Sequence, residues 1–301
     1  MNYHLSISNI SIEINISRKR NLNHVTIFNY HQVDREFNSI LHSPYTFTSL
    51  DFFEEQIIWI NKNYKIIPLN QAIEMIDTNR IDNKYACITF DDGDKSILKS
   101  MQVLEKYNIP ATFFINGSHI DNQGAYWFPI YNFIKNNPKY KYLLTDKIEQ
   151  NISLLRRTEN KKLYNRYSQI IEDNFDIIKD DFNIFVSKQD LENINSHLFD
   201  IGIHGFEHQR FSMKSLEWQK ENLIKDIKIL SNYPSYKAIF AIPFGRTFDW
   251  NIDTIKVCFD LDLKFVYADG GINIKNEIGY KRIPADSQNL KELIKNQMVK
   301  L

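Results

Sequence analysis

The chain has 301 residues, 43% hydrophobic and 14% aromatic, which is apolar material for one large core or two ordinary ones. Its 37 Lys and Arg balance 37 Asp and Glu, so bulk charge leaves no footprint for nucleic acid or an anionic membrane as partner. Two cysteines, Cys87 and Cys258, make neither a C-x-x-C pair nor a disulfide framework, and no window nears the ~18 apolar residues of a membrane span.

Residues 1–24 read as an N-terminal arm or edge strand, with strict alternation over 11–17. They lack the continuous apolar run of a signal peptide, so a cytoplasmic protein is expected. Residues 25–31 form a strand candidate ending in His31. Residues 48–63 read as a helix capped by Thr48, with Phe52, Phe53, Gln56, Ile57 and Ile60 on one face. A short strand at 66–69 and a helix carrying Ala72, Ile73 and Ile76 follow. Residues 85–90 are too short and too rich in strand formers for a helix, and read as a buried strand that stops abruptly at Asp91-Asp92-Gly93. A helix over 96–107 and a strand over 112–117 then complete a strand–helix–strand unit, which requires a parallel sheet.

Residues from about 120 to 197 break this rhythm. They read as a helical insertion packed beside the main fold, with Leu163, Tyr167, Ile170, Ile171 and Phe175 on one apolar face and a capping box between Ser187 and Asp190. Its charged faces are read as solvated, with a lid or partner surface as the other possibility. Strands over 199–204, 238–242 and 264–268 and a last one opening at Ile283 then alternate with helices over 215–230, 254–261 and 290–298. The inward face of the 215–230 helix is predicted to be Leu216, Leu223, Ile224, Ile227 and Leu230. Six or seven alternating strands over residues 25–301 predict a distorted (β/α) barrel, with an open doubly wound sheet as the alternative.

The chemistry is concentrated at strand ends. Two adjacent carboxylates repel, so Asp91 and Asp92 need a cation or a shared proton if buried. Downstream, a strand ends in His204 and a turn through Gly205 returns His208 to it. Two imidazoles plus one carboxylate make a three-ligand set for zinc or a similar divalent ion and leave open positions, the arrangement of a hydrolytic site. Such an ion lowers the pKa of a bound water to about 7, while a nearby carboxylate is still needed to take the proton. Asp92 is then the metal ligand beside His204 and His208, and Asp91 the general base.

Thr89-Phe90-Asp91-Asp92-Gly93, then His204-x-x-x-His208, then Pro243-Phe244-Gly245 resembles the polysaccharide deacetylase (NodB-homology) superfamily of metal-dependent carbohydrate esterases. Residues 28–33 and 52–59 look like the lead-in of members that act on poly-N-acetylglucosamine. The resemblance covers about 25–120 and 198–286 and omits the insertion. It implies a distorted (β/α) barrel, Asp91 as base, a divalent metal on Asp92, His204 and His208 (Zn2+, or Co2+ or Ni2+), and the backbone N–H of Phe244 as oxyanion donor. The implied reaction removes acetate from an N-acetylated glycan, or from a lipid- or nucleotide-linked sugar precursor if the protein stays in the cytoplasm.

Two residues of the family pattern are missing. The arginine that holds the catalytic aspartate, two positions before the third-motif proline, is here Ala241. The late Leu-x-His that supplies the catalytic acid has no match, and Arg282-Ile283-Pro284 stands where it would be sought. His31 is the first candidate for the missing acid and His119 the second. A catalytically silent glycan-binding or scaffold protein is the alternative these departures leave open. Trp127, Trp218 and Trp250 are read as packing residues, and Arg246 and Asp249 as candidates for the cleft wall.

Overall fold

The computed structural model describes residues 22–145, 160–275, 277–286 and 289–299, with Glu149, Ile152, Leu155 and Thr158 between them. The strand expected at 11–17 lies outside the described residues. In chain order the elements are β1 (His24–Tyr30), β2 (Gln32–Asp34), β3 (Phe47–Ser49), α1 (Leu50–Asn63), β4 (Lys65–Ile66), α2 (Leu69–Asp77), β5 (Lys84–Phe90), α3 (Ile97–Lys106) and β6 (Ala111–Ile115). The inserted stretch holds α4 (Trp127–Asn136), α5 (Lys161–Glu172), α6 (Phe175–Ile178) and α7 (Lys188–Glu192). There follow β7 (Phe199–Ile203), α8 (Leu216–Leu230), β8 (Tyr236–Ala241), α9 (Ile252–Asp260), β9 (Lys264–Tyr267), β10 (Tyr280–Pro284) and α10 (Leu290–Val299).

Seven of the strands close on themselves in the order β1-β10-β9-β8-β7-β6-β5 and back to β1, making the distorted (β/α) barrel expected. Every pairing around the ring is parallel, so the carboxyl ends of all seven strands lie at one rim. The closing seam is the longest: β1 and β5 pair from His24–Lys84 to Tyr30–Phe90. β4 pairs with Tyr85 and Ala86, and β6 takes over the edge of β5 from Ile88. β2 and β3 form a separate parallel pair beyond the end of β1.

Strand alternation sorts the barrel into two chemistries. Phe28, Tyr30, Ile88, Phe90, Phe113, Ile115, Ile203 and Phe240 pack in the cluster that includes Phe53, Ile57 and Ile60 of α1 and Leu223 and Leu230 of α8. The opposite parity points inward. Val25, Ile27, Cys87, Phe114, Ala241, Val266 and Tyr280 pack together with the buried face of α2, Leu69, Ala72, Ile73 and Ile76. Burying each larger side chain of this plug stabilises the fold by about 1.5–3 kcal/mol. Further along the same inward parity, Asn29, Thr89 and Arg282 are polar and 1% exposed or less. The apolar layer thus floors a polar one, and the polar one opens at the rim.

The insertion builds its own buried cluster, in which Trp127, Ile130, Phe133 and Ile134 of α4 meet Tyr164 and Ile171 of α5 and Phe182 and Phe185 beyond α6. Phe244 packs on its edge. Four local expectations need correction. Ser49, not Thr48, caps α1, since its side chain accepts from the Phe52 N–H. The buried line of α5 is Tyr164, Ser168 and Ile171, one residue round from the Leu163–Tyr167 line. Phe175 starts the next helix, α6. On α8, Ile224 is 44% exposed, while Gln219, Asn222 and Asp226 are buried. That polar face is buried because it carries loops: Asn222 accepts from the Phe206 N–H at 2.8 Å and Asp226 from the Gly117 N–H at 2.7 Å.

Candidate active site

Each predicted site residue stands on the carboxyl rim. Asp91 and Asp92 follow β5, His204 and His208 follow β7, Phe244 follows β8 and His31 follows β1. They face a cleft of about 350 Å³ whose wall also includes Tyr126, Trp127 and Phe128 of the insertion, Tyr45, Arg246 and Asp249. Of the cleft candidates, Arg246 is exposed, whereas Asp249 is fully buried and pairs with the Arg210 guanidinium at 2.8 Å. Trp127 reaches the wall although only 2% exposed, and Trp218 and Trp250 pack elsewhere on the core.

The backbone at the turns is bent to aim these groups. Asp92, His208 and Phe244 all adopt the left-handed region, with φ of 73°, 48° and 62°. Such a conformation is costly for a bulky residue such as Phe, and strain of this kind concentrates where function fixes geometry. Gly245, at φ 74°, must stay glycine: a Cβ there would sit 2.7 Å from the Ala268 nitrogen.

Asp91 is held from inside the barrel. Arg282 donates from Nη1 to Oδ1 at 2.6 Å and from Nη2 to Oδ2 at 2.7 Å, a two-pronged pairing. Asn29 Nδ2 donates to Oδ2 at 3.0 Å, and Arg282 Nη1 also reaches Asn29 Oδ1 at 2.8 Å. Burial opposes charge on Asp91, but Arg282, then His204 and His31, outweigh it and hold the carboxyl below its usual range. The arginine missing at Ala241 is therefore supplied from β10. The sequence signal was present in Arg282, but strand pairing had to bring β10 beside β1 before its partner could be named.

Asp92 Oδ1 lies 3.3 Å from His204 Nε2 and 3.0 Å from His208 Nε2. The three ligand atoms lie within 4.8 Å of one another, the single set of this kind among the described residues. The donor chemistry fits a cation. His204 Nδ1 lies 2.7 Å from the Ala241 carbonyl, which can only accept, so Nδ1 carries a proton and Nε2 is the nitrogen turned toward the Asp92 carboxylate. Burial holds His208 below its normal pKa despite Asp92, which favours the neutral, ligating form. Two imidazole nitrogens and a carboxylate oxygen converging on one point suit a positive charge between them. Asp92 Oδ2 accepts from the Tyr126 hydroxyl at 3.2 Å.

His31 and His119 separate clearly. His31 Nδ1 is 2.8 Å from Asp286 Oδ2, which leaves Nε2 facing the cleft, 3.9 Å from Asp91 Oδ2. Burial works against its charge, yet Asp286, with Asp92 and Asp91, raises its pKa to about 10. His119 is 2% exposed, stacks on Tyr126 and Phe185, and is absent from the cleft wall. Burial drives its pKa well down, so it is a neutral packing ring. Asp286 was missed in the sequence because no motif marks it.

A closed parallel barrel carries an Asp-Asp strand end, a His-x-x-x-His strand end and a Pro-Phe-Gly turn at one rim, and the chain belongs to the polysaccharide deacetylase family, whose model matches residues 78–266. It is 24% identical over 270 residues to the poly-beta-1,6-N-acetyl-D-glucosamine N-deacetylase of Staphylococcus epidermidis, over 83% of this chain and 76% of that protein. Its fold is similar to that of IcaB from Ammonifex degensii, with a TM-score of 0.59 at 15% identity over 92% of this chain and 97% of the other. It is also similar to a de-N-acetylase from Aggregatibacter actinomycetemcomitans, with a TM-score of 0.57 at 15% identity over 91% and 99%. Asn29, His31, Arg282 and Asp286 lie outside the span the family model matches.

Proposed function

We propose that this protein removes acetyl groups from N-acetylated sugar residues of a polysaccharide, or of a lipid- or nucleotide-linked precursor, leaving free amines. The observation that carries this reading is the separation of two carboxylates: Asp91 is committed to Arg282 and Asn29, while Asp92 faces two imidazoles. This separation supports reading Asp91 as a base and Asp92 as a ligand.

A divalent ion held by Asp92, His204 and His208, which we assign as zinc with cobalt or nickel able to substitute, would polarise the acetyl carbonyl and acidify a water. Asp91, kept ionised and aimed by its bidentate clasp, takes the proton as water adds to the carbonyl carbon. The Phe244 N–H, which meets no acceptor among the described residues, donates to the developing oxyanion. A fixed donor of this kind contributes about 3 kcal/mol to the barrier. As the carbon–nitrogen bond breaks and acetate leaves, His31 gives its proton to the departing amine, and Asp286 keeps the imidazolium oriented. Residues 25–301 act in this reading as one barrel, interrupted by the insertion at about 120–197.

The test is acetate release from β-linked N-acetylglucosamine oligomers by zinc-loaded protein, beside Asp91→Asn. Release that Asp91→Asn reduces by three or more orders of magnitude supports the reading. Oligomer binding without acetate release would overturn it in favour of a silent glycan-binding protein.

A further inference from the structure

The two histidines of the ligand set are oriented by different means. His204 has the support usual for a metal-bound imidazole, a hydrogen bond from Nδ1 to the Ala241 carbonyl at 2.7 Å. His208 has none: its Nδ1 is buried without a partner among the described residues. What fixes its ring is stacking. Tyr126 lies parallel to it with centroids 3.8 Å apart and planes 25° apart, and Phe244 meets it edge-on at 4.8 Å. The Tyr126 hydroxyl then reaches Asp92 Oδ2 at 3.2 Å, the carboxylate oxygen other than the Oδ1 that lies nearest both imidazoles. One side chain therefore touches two of the three ligands.

Tyr126 belongs to the insertion, just before α4. It is the third ring of a stack running Phe185, His119, Tyr126, His208, with successive centroids 4.7, 5.7 and 3.8 Å apart. A second link lies one residue further along each segment. The Glu172 carboxylate, at the end of α5, accepts from the Trp127 N–H at 3.1 Å and from the Gln209 amide at 3.0 Å. The insertion is thereby fastened to the two residues, His208 and Gln209, that follow the β7 turn.

We propose that Tyr126 is a positioning residue for the cation site, and that through it the insertion sets metal affinity. Its hydroxyl occupies Asp92 Oδ2, so that Oδ1 alone is presented to the cation, and its ring replaces the missing hydrogen bond to His208. The inference rests on the cation assignment made under the proposed function.

The experiment is Co2+ titration of the metal-free protein by chelator competition, with the visible absorption of the bound ion as a second readout. Tyr126→Phe keeps the stack and removes the hydroxyl; Tyr126→Leu removes both. Outer contacts of this kind are worth about 10- to 100-fold in metal affinity. The expected result is a loss of about 10-fold for Tyr126→Phe and more for Tyr126→Leu, with altered absorption bands and wild-type circular dichroism. A folded Tyr126→Phe protein that holds Co2+ within two-fold of wild type, with the same spectrum, overturns the assignment whether or not Tyr126→Leu folds. Failure of the wild type itself to bind Co2+ would instead overturn the cation reading on which the inference rests, so the two failures are distinct.

Discussion

Arg282 and Asp91 lie 191 positions apart in the chain and meet through two parallel hydrogen bonds inside the barrel. Both side chains are nearly inaccessible, at 1% and 4% exposure. Removing one member of such a pair leaves a buried charge uncompensated and costs about 3–5 kcal/mol, whereas replacing the fork by a point charge keeps the charge and loses the aim. Arg282→Lys should therefore fold and lose about 10- to 100-fold in kcat.

Arg282→Met should melt well below wild type at neutral pH, and the gap should narrow on acidification. Asp91 sits below its usual pKa in the wild type, so its contribution to stability is present above the unfolded carboxylate value near 4 and is lost as pH falls through the folded one. Without Arg282 that pKa rises, and acid neutralises the orphaned charge. Melting curves from pH 7 to pH 4 check both signs.

His31 gives a second pH signature. Its pKa is raised to about 10, and an acid must be protonated to work, so kcat/KM should fall only as pH rises toward that value. Asp286→Asn removes the carboxylate beside Nδ1, and the alkaline limb should move to lower pH by one unit or more. The acidic limb, set by other groups, should stay. For stability the sign is the same: the His31 contribution is complete below the unfolded pKa near 6.5 and is lost as pH rises through about 10.

Metal binding should appear as stability before it appears as activity. An ion that binds only the folded chain adds about 2.7 kcal/mol at 100 times its dissociation constant. Zinc should raise the melting temperature of the stripped wild type and leave that of His204→Ala unchanged. Calorimetry with and without a chelator measures the difference.

Gly245 tests the turn that presents the Phe244 N–H. A methyl there meets Ala268 at 2.7–2.8 Å, backbone nitrogen and Cβ together, so the turn must shift. Gly245→Ala is expected to lower kcat by about 100- to 1,000-fold, on the scale of a lost oxyanion donor, while metal content stays at the wild-type level. Equal losses of metal and kcat would point instead to damage at His208, whose ring lies against Phe244.

The barrel was legible because strands buried on both faces, such as Tyr85 to Phe90, read as unbroken apolar runs with turn residues behind them. The cluster of Asp92, His204 and His208 was legible for a similar reason: all three lie in short local patterns at strand ends. What holds them was not. Asn29, Arg282 and Asp286 are a polar residue at the end of one strand and two charges near another, and become a network only when β1 lies between β5 and β10. Tyr126 was hidden differently, inside a stretch whose helical periodicity describes packing within the insertion and says nothing of the ring that leaves it. On α8, period alone put Ile224 inside; the buried face holds Leu223 and Leu230 as expected but also Gln219, Asn222 and Asp226, because loop amides there need acceptors.

The seam between β1 and its two neighbours also sets when the chemistry can begin. Asn29 and His31 leave the ribosome before Asp91, and Arg282 and Asp286 only after all three. A nascent chain that has released everything up to β9 already carries Asp92, His204 and His208, but its Asp91 lacks Arg282 and its His31 lacks Asp286. On the proposed function, cation capture would thus precede competence for hydrolysis, and turnover would report that β10 has docked.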